Sequence, residues 1–85
     1  MDPNQVSAVR LSFLSSEMFL TLSDGRVLKL PLSLFPTLLH ATPEARNQFE
    51  WIGKGSGIHW PALDEDLSVA GLLKTAETER IANHE

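Results

Sequence analysis

The sequence predicts a small α+β domain, with an antiparallel sheet (a three-stranded meander plus a short hairpin) packed by two or three short helices. Three observations lead to this fold class. Apolar residues alternate with period two near the N-terminus, they recur at helical spacing in later segments, and Gly or Pro separates the segments. With 85 residues, 42% of them hydrophobic, the chain can form one modest core. We expect a single domain over residues 1–75 and a polar C-terminal extension over 76–85.

The meander is predicted by alternation and by one turn motif. Val9, Leu11 and Phe13 fall on one face of the first segment, as in a half-buried strand. Asp24-Gly25 is typical of a type I′ hairpin turn, because glycine accepts a positive φ. The three predicted strands span residues 6–14, 18–22 and 26–30. Met18, Leu20 and Leu22 alternate with polar or outward positions in the second strand, and Leu28 and Leu30 fall on the inner face of the third.

Helix starts are indicated by capping residues and prolines. Ser33 is expected to cap a short helix with Pro36 in its first turn, and Thr42 to cap a second helix that ends near Gln48. Ser68 is expected to cap a final helix. The apolar face of that helix consists of Val69, Leu72, Leu73 and Ala76.

A short hairpin is predicted between the second and the final helix. Its strands span 49–52 and 58–60, and the segment Gly53–Gly57 joins them as a flexible connection. Pro61 ends the second strand. A short loop then leads to the final helix, and its acids would favour the positive end of that helix.

The charge distribution excludes some classes of partner. The net charge is −4, and all of it lies in residues 61–85, because acids and bases balance in residues 1–60. No basic stripe is present, so we expect no direct nucleic acid binding. The acidic end fits either a basic protein partner or a solvated helix face. No cysteine, signal peptide or long apolar run occurs, so we expect a cytoplasmic location without a membrane interaction.

Motifs for chemistry are weak. The segment Gly53–Gly57 lacks the phosphate-loop spacing, and a strand, not a helix, is expected to follow it. His59 and the acids that follow could suggest a metal site, but three consecutive acids do not all point one way. We therefore predict no catalytic, cofactor-binding or metal-binding residues and no enzymatic activity.

The two tryptophans are either core residues or aromatic anchors for a partner, since Trp is enriched at binding hot spots. Together with the neighbouring polar residues they form the predicted partner-binding set. This set contains Trp51, His59, Trp60, Asp64, Glu65 and Asp66.

Three blocks of residues resemble a known bacterial family, domain of unknown function 2442, over about residues 6–75. The blocks are Phe19-x-Leu-x-Leu-x-Asp24-Gly25-Arg26, Pro31-Leu32 with Phe35-Pro36-x-Leu38, and Gly57-Ile58-His59-Trp60-Pro61-x-Leu63-Asp64-Glu65-Asp66-Leu67-Ser68. The resemblance implies a small α+β fold like the N-terminal domain of a Nitrosomonas protein, where a helix-turn-helix domain follows. Only twelve residues follow Leu73 here, so we do not expect the DNA binding of such relatives to carry over. The resemblance also implies a gene encoded beside another small protein, in an arrangement like a toxin–antitoxin pair, and it supplies no catalytic residues.

These observations favour a protein–protein interaction or regulatory module, including the antitoxin-like member of a toxin–antitoxin-type pair. The expected partner is a basic, toxin-like protein or a second copy of the chain. The alternatives are a DNA-associated transcriptional regulator, acting as a dimer or through a partner, and a small metal-dependent hydrolase.

Overall fold

The chain folds into two three-stranded antiparallel sheets and three helices, which confirms the α+β prediction. A computed structural model describes the backbone of residues 6–82 and the side chains of residues 6–76. The strands of the first sheet are β1 (Ala8–Leu14), β2 (Glu17–Leu22) and β3 (Val27–Pro31), in that order. The strands of the second sheet are β4 (Glu50–Ile52), β5 (Gly57–Trp60) and β6 (Glu65–Ser68), also in that order.

Two of the helices lie between the two sheets in the chain, and the third follows the second sheet. They are α1 (Pro36–Leu39), α2 (Pro43–Arg46) and α3 (Val69–Ala82), with short 3₁₀ turns at Leu32–Leu34 and Pro61–Leu63. The backbone of the predicted C-terminal extension is therefore helical to Ala82, and residues 83–85 lie outside the described residues. Within the described part of the chain, no helix is long and apolar enough to cross a membrane.

One hydrophobic core joins both sheets and the helices. Met18, Leu20 and Leu22 alternate inward along β2, as predicted, because successive side chains of a strand point to opposite faces. The other sheet contributes Ile58 and Trp60 from β5. The remaining large contributors are Leu11, Leu28, Leu30, Leu32, Phe35, Leu38, Val69 and Leu72.

The inward face of β1 differs from the prediction at its first residues. The pairing with β2 shifts between Ala8 and Arg10, which is a β-bulge. The extra residue reverses the alternation, so Ala8 is 5% exposed and Val9 is 57% exposed. A period-two pattern cannot reveal such an insertion, and placing Val9 on the inner face was wrong.

The turn between β2 and β3 also differs from the predicted type. Only Gly25 has a positive φ (94°) among the residues of this turn, whereas a type I′ turn needs two. The Gly25 amide donates to the carbonyl of Leu22 (3.0 Å), and the Leu22 amide donates to that of Arg26 (2.8 Å). The loop is therefore a three-residue connection in which glycine takes the last position.

The helix caps are partly as predicted. Thr42 Oγ1 accepts from the amide of Ala45 (3.1 Å), which confirms the cap of α2. Ser33 makes no such bond: it lies within a 3₁₀ turn, and Phe35 is the residue before α1. Pro36 is the first residue of α1, where its missing N–H is not needed.

The segment before α3 is a strand, which corrects the predicted loop. β6 pairs with β5, so that Leu67 lies opposite Ile58 and Asp66 opposite His59. Ser68 ends this strand and still caps α3, because its Oγ accepts from the amide of Gly71 (3.0 Å). The acids of this segment therefore lie in the strand and the turn before it, and not in the first turn of α3.

The turn between β4 and β5 joins the sheets to each other and to α3. The Gly55 carbonyl accepts from the amide of Ala8 in the first sheet (2.7 Å), and the Ser56 carbonyl accepts from the amide of Val69 in α3 (2.9 Å). This segment was predicted to be a flexible connection, but its backbone is fixed by hydrogen bonds on both sides.

Candidate functional site

A row of polar side chains crosses the outer face of the second sheet. Glu50 on β4, His59 on β5 and Asp66 on β6 are direct partners in the strand register. Partners in antiparallel strands project on the same face, and the adjacent Ile58 and Trp60 project into the core. The row therefore lies on the face of the sheet that points away from the core.

His59 is the centre of this row. Its Nδ1 is hydrogen-bonded to the Asp66 carboxylate, and its side chain is 34% exposed. The bond to Asp66 raises the pKa of His59, and the charges of Asp66, Glu50 and Asp64 act in the same direction against partial desolvation. We call Glu50, His59, Asp64 and Asp66 the acidic face.

The backbone places Asp64 at the edge of this face. Asp64 ends the 3₁₀ turn after β5 in a left-handed conformation (φ 52°), which Asp adopts more readily than most residues. This conformation reverses the chain so that β6 returns beside β5. Its carboxylate remains close enough to influence the pKa of His59.

Among the described side chains, no Lys or Arg pairs with a carboxylate of the acidic face. Arg26 pairs with Asp24, Lys29 pairs with Glu17, and Asp66 has His59. Glu50 and Asp64 have neither Lys nor Arg within ion-pair distance in the described part of the chain. The face thus presents uncompensated negative charge to the solvent.

The chemistry available at the acidic face is limited. Among the described residues, no group of three or more His, Asp or Glu side chains is arranged to hold a metal ion. An Asp–His pair can orient a general base, but no described Ser or Thr hydroxyl is hydrogen-bonded to His59. The arrangement is best suited to hydrogen bonds and ion pairs with a cationic group.

Three of the six predicted contact residues come together on this face: His59, Asp64 and Asp66. Trp60 does not, because it is fully buried (0% exposed) and its indole N–H donates to the carbonyl of Arg46 (2.9 Å). Of the two interpretations of Trp60, the structure supports the core residue and not the surface anchor.

Trp51 and Glu65 project on the other side of the second sheet. Trp51 lies opposite Ile58 and Glu65 lies opposite Trp60 in the register. Trp51 is 37% exposed at the sheet edge and packs edge-on against Phe49, with ring centroids 5.2 Å apart. These two residues therefore border the sheet but do not belong to the acidic face.

Glu50 was missed by the sequence analysis. The predicted connection from Gly53 to Gly57 would pair Glu50 with Trp60, whereas Gly57 in fact belongs to β5, and the shorter turn pairs Glu50 with His59. Asp66 could not be paired with His59 either, because β6 was not predicted.

Comparison with known families agrees with the residue pattern. A family model described as protein of unknown function (DUF2442) matches residues 8–78. The chain belongs to this family. The block from Gly57 to Ser68, which carries part of the resemblance, forms β5, the following 3₁₀ turn and β6, and this segment contains three residues of the acidic face.

Two solved structures of uncharacterised proteins are similar to the fold of this chain. A crystal structure from Rhodospirillum rubrum is 29% identical, with a TM-score of 0.72, covering 84% of this chain and 88% of that one. A solution NMR structure from Chromobacterium violaceum is 27% identical, with a TM-score of 0.68, covering 80% of this chain and 64% of that one. No curated protein matches the sequence.

Proposed function

We propose that this chain is a protein-binding module without catalytic activity, and that its acidic face binds a basic segment of a partner protein. The observation that carries the proposal is the set of three carboxylates around His59 on an open sheet face, two of them without a basic partner in the described structure. Complementary charge steers association and determines which partners are accepted.

The short strands present this face on a rigid support. Asp66 is fixed by its bond to His59, and both residues lie on strands held in register from Gly57 to Trp60. A basic side chain that binds here meets acceptors that need little reordering, which lowers the entropic cost of association.

A matched pair of triple variants tests the role of the face. Glu50→Gln, Asp64→Asn and Asp66→Asn remove three charges from the face, whereas Glu17→Gln, Glu44→Gln and Glu65→Gln remove three charges elsewhere. The purified chain is titrated calorimetrically with the product of the adjacent gene, or with a basic protein that co-purifies from the native host. We expect the first triple variant to bind at least about tenfold more weakly and the second to bind nearly normally.

The salt dependence provides a second measurement on the same complex. Affinity should fall as ionic strength rises, and the face variant should show a smaller slope. Equal affinities of the two triple variants would contradict the proposed surface. Binding of a partner without a basic patch would contradict the proposed chemistry.

We further propose that the partner is a basic, toxin-like protein and that this chain is the antitoxin-like member of the pair. The acidic net charge of −4 supports it, together with the gene arrangement that the family resemblance implies. Co-expression of the chain should then relieve growth inhibition by the partner, and the face variant should relieve it less. Growth inhibition that persists despite a tight complex would refute the antitoxin role while leaving the binding module intact.

The hydrolase alternative has its own test. Thermal unfolding is followed with and without Zn²⁺, Mn²⁺ or Mg²⁺, in the native chain and in His59→Gln. If none of the three ions stabilises the native chain, the metal-dependent hydrolase is excluded, because a metal that binds the folded state raises its stability. A metal that stabilises only the native chain would instead place a metal site at His59 and favour the hydrolase.

A further inference from the structure

A groove of about 500 Å³ lies on another part of the surface, where the residues just before β1, the turn between β4 and β5, and the start of α3 meet. It shares no residue with the acidic face. Its volume falls in the range of small-molecule sites, about 300–1,000 Å³.

The walls of the groove are mainly aliphatic. Val6 lies on one side, and Val69, Ala70 and Leu73 of α3 lie on the other. Val69 is buried and Leu73 is half-buried, so their positions are set by packing against the core. Such a surface suits the apolar part of a small ligand.

One positively charged side chain lines this groove. Lys54 lines it, and none of the described carboxylates lies within ion-pair distance of its ammonium group. The nearby Ser56 hydroxyl already donates to the carbonyl of Ile52 (3.2 Å). Two amides in the first turn of α3 are already used, since Val69 donates to the carbonyl of Ser56 and Gly71 donates to Ser68 Oγ. Lys54 is therefore the charge that selects the ligand.

The two walls are held at a fixed separation. The turn that carries Lys54 is bonded to β1 through Ala8 and to α3 through Val69. The groove is therefore formed before any ligand arrives, which favours affinity.

We propose that this groove binds a small amphipathic carboxylate, with its aliphatic chain between Val6 and Leu73 and its carboxylate at Lys54. The site is independent of the proposed protein-binding face. An aliphatic wall beside one cation distinguishes this ligand class from a neutral lipid, which needs no lysine, and from inorganic phosphate, which gains nothing from the wall.

Titrations with octanoate, octan-1-ol, acetate and inorganic phosphate test the proposal, followed by two-dimensional ¹H–¹⁵N NMR of the full chain. Octanoate should shift the amides of Ser56, Ala70 and Leu73 in a saturable manner. Acetate and phosphate should shift these amides little at concentrations below about 10 mM. In that range, only ligands with a Kd of millimolar order or tighter give a detectable shift.

Two variants and one control locate the ligand. Lys54→Gln should weaken octanoate binding about threefold to tenfold and leave octan-1-ol unchanged, since a surface ion pair contributes modestly. Ala70→Phe at an exposed position should fill the groove and abolish octanoate binding. Lys29→Gln, on the other sheet, should have no effect.

Three results would overturn the proposal. These are no saturable shift with octanoate, equal affinity for octanoate and octan-1-ol in the native chain, or binding that survives Ala70→Phe in a folded variant. A stronger response to phosphate than to octanoate would assign the site to a different class of anion.

Discussion

His59 and Trp60 are neighbours in β5, yet one is 34% exposed in its side chain and the other is fully buried. Alternation along the strand accounts for the difference. The indole N–H of Trp60 needs a partner once it is buried, and the carbonyl of Arg46 supplies one. Both residues were predicted as partner contacts, and the pattern of so short a strand does not show which of the two faces the core.

The pH dependence of stability should report the His59–Asp66 pair. The pKa of His59 is raised in the folded state by its bond to Asp66, so the pair stabilises the fold at pH values below the ordinary His pKa of about 6.5. That contribution is lost as pH rises through the folded-state pKa. NMR titration of the His59 ring should show the raised pKa, and Asp66→Asn should lower it.

Urea unfolding at several pH values checks the same coupling independently. The loss of stability with rising pH should be smaller in His59→Gln than in the native chain. A His59 pKa that does not move in Asp66→Asn would show that the carboxylate does not hold the ring.

At the scale of elements, β6 is the strand that was not predicted from the sequence. Four residues with two acids give no reliable alternation, and their strand conformation depends on pairing with β5. Ser68 was nevertheless predicted as the cap of α3, because capping is local chemistry. Gly71 has a role in this cap, since a Cβ there would lie 2.9 Å from Ser68 Oγ.

Replacing Ser68 with Ala should destabilise the protein by about 1 kcal/mol, because the amide of Gly71 loses its acceptor. Ser33→Ala is the matched control, since Ser33 makes no capping bond and should change stability by less than about 0.5 kcal/mol. Urea denaturation measures both. Equal losses in the two variants would mean that the Ser68 cap contributes nothing specific.

At the scale of the whole molecule, the turn from Gly53 to Gly57 connects the two sheets and α3 through hydrogen bonds. Gly55 has φ 99°, and a Cβ there would lie 2.4 Å from the carbonyl oxygen of Ala8. Glycine is therefore required both by the backbone conformation and by the close approach of β1. This second reason becomes visible only when the two sheets are packed together.

Gly55→Ala should destabilise the protein by about 2–5 kcal/mol, which combines backbone strain with displacement of β1. Gly25→Ala is the matched control, because Gly25 has a similar φ of 94° but nothing within 4 Å of the added Cβ. It should lose only about 1–2 kcal/mol. Thermal or urea unfolding gives the difference, and equal losses would show that the contact with Ala8 is not restrictive.

The sequence by itself determined the fold class, the family, five of the six strands, the caps of α2 and α3, and the inward faces of β2 and β3. These features depend on local periodicity, capping and turn chemistry, which act within a few residues. Tertiary structure decided the bulge at Val9, strand β6, the burial of Trp60 and the pairing of Glu50 and Asp66 with His59. Each of these depends on contacts between segments distant in the chain, and no local pattern encodes which segment will supply the partner.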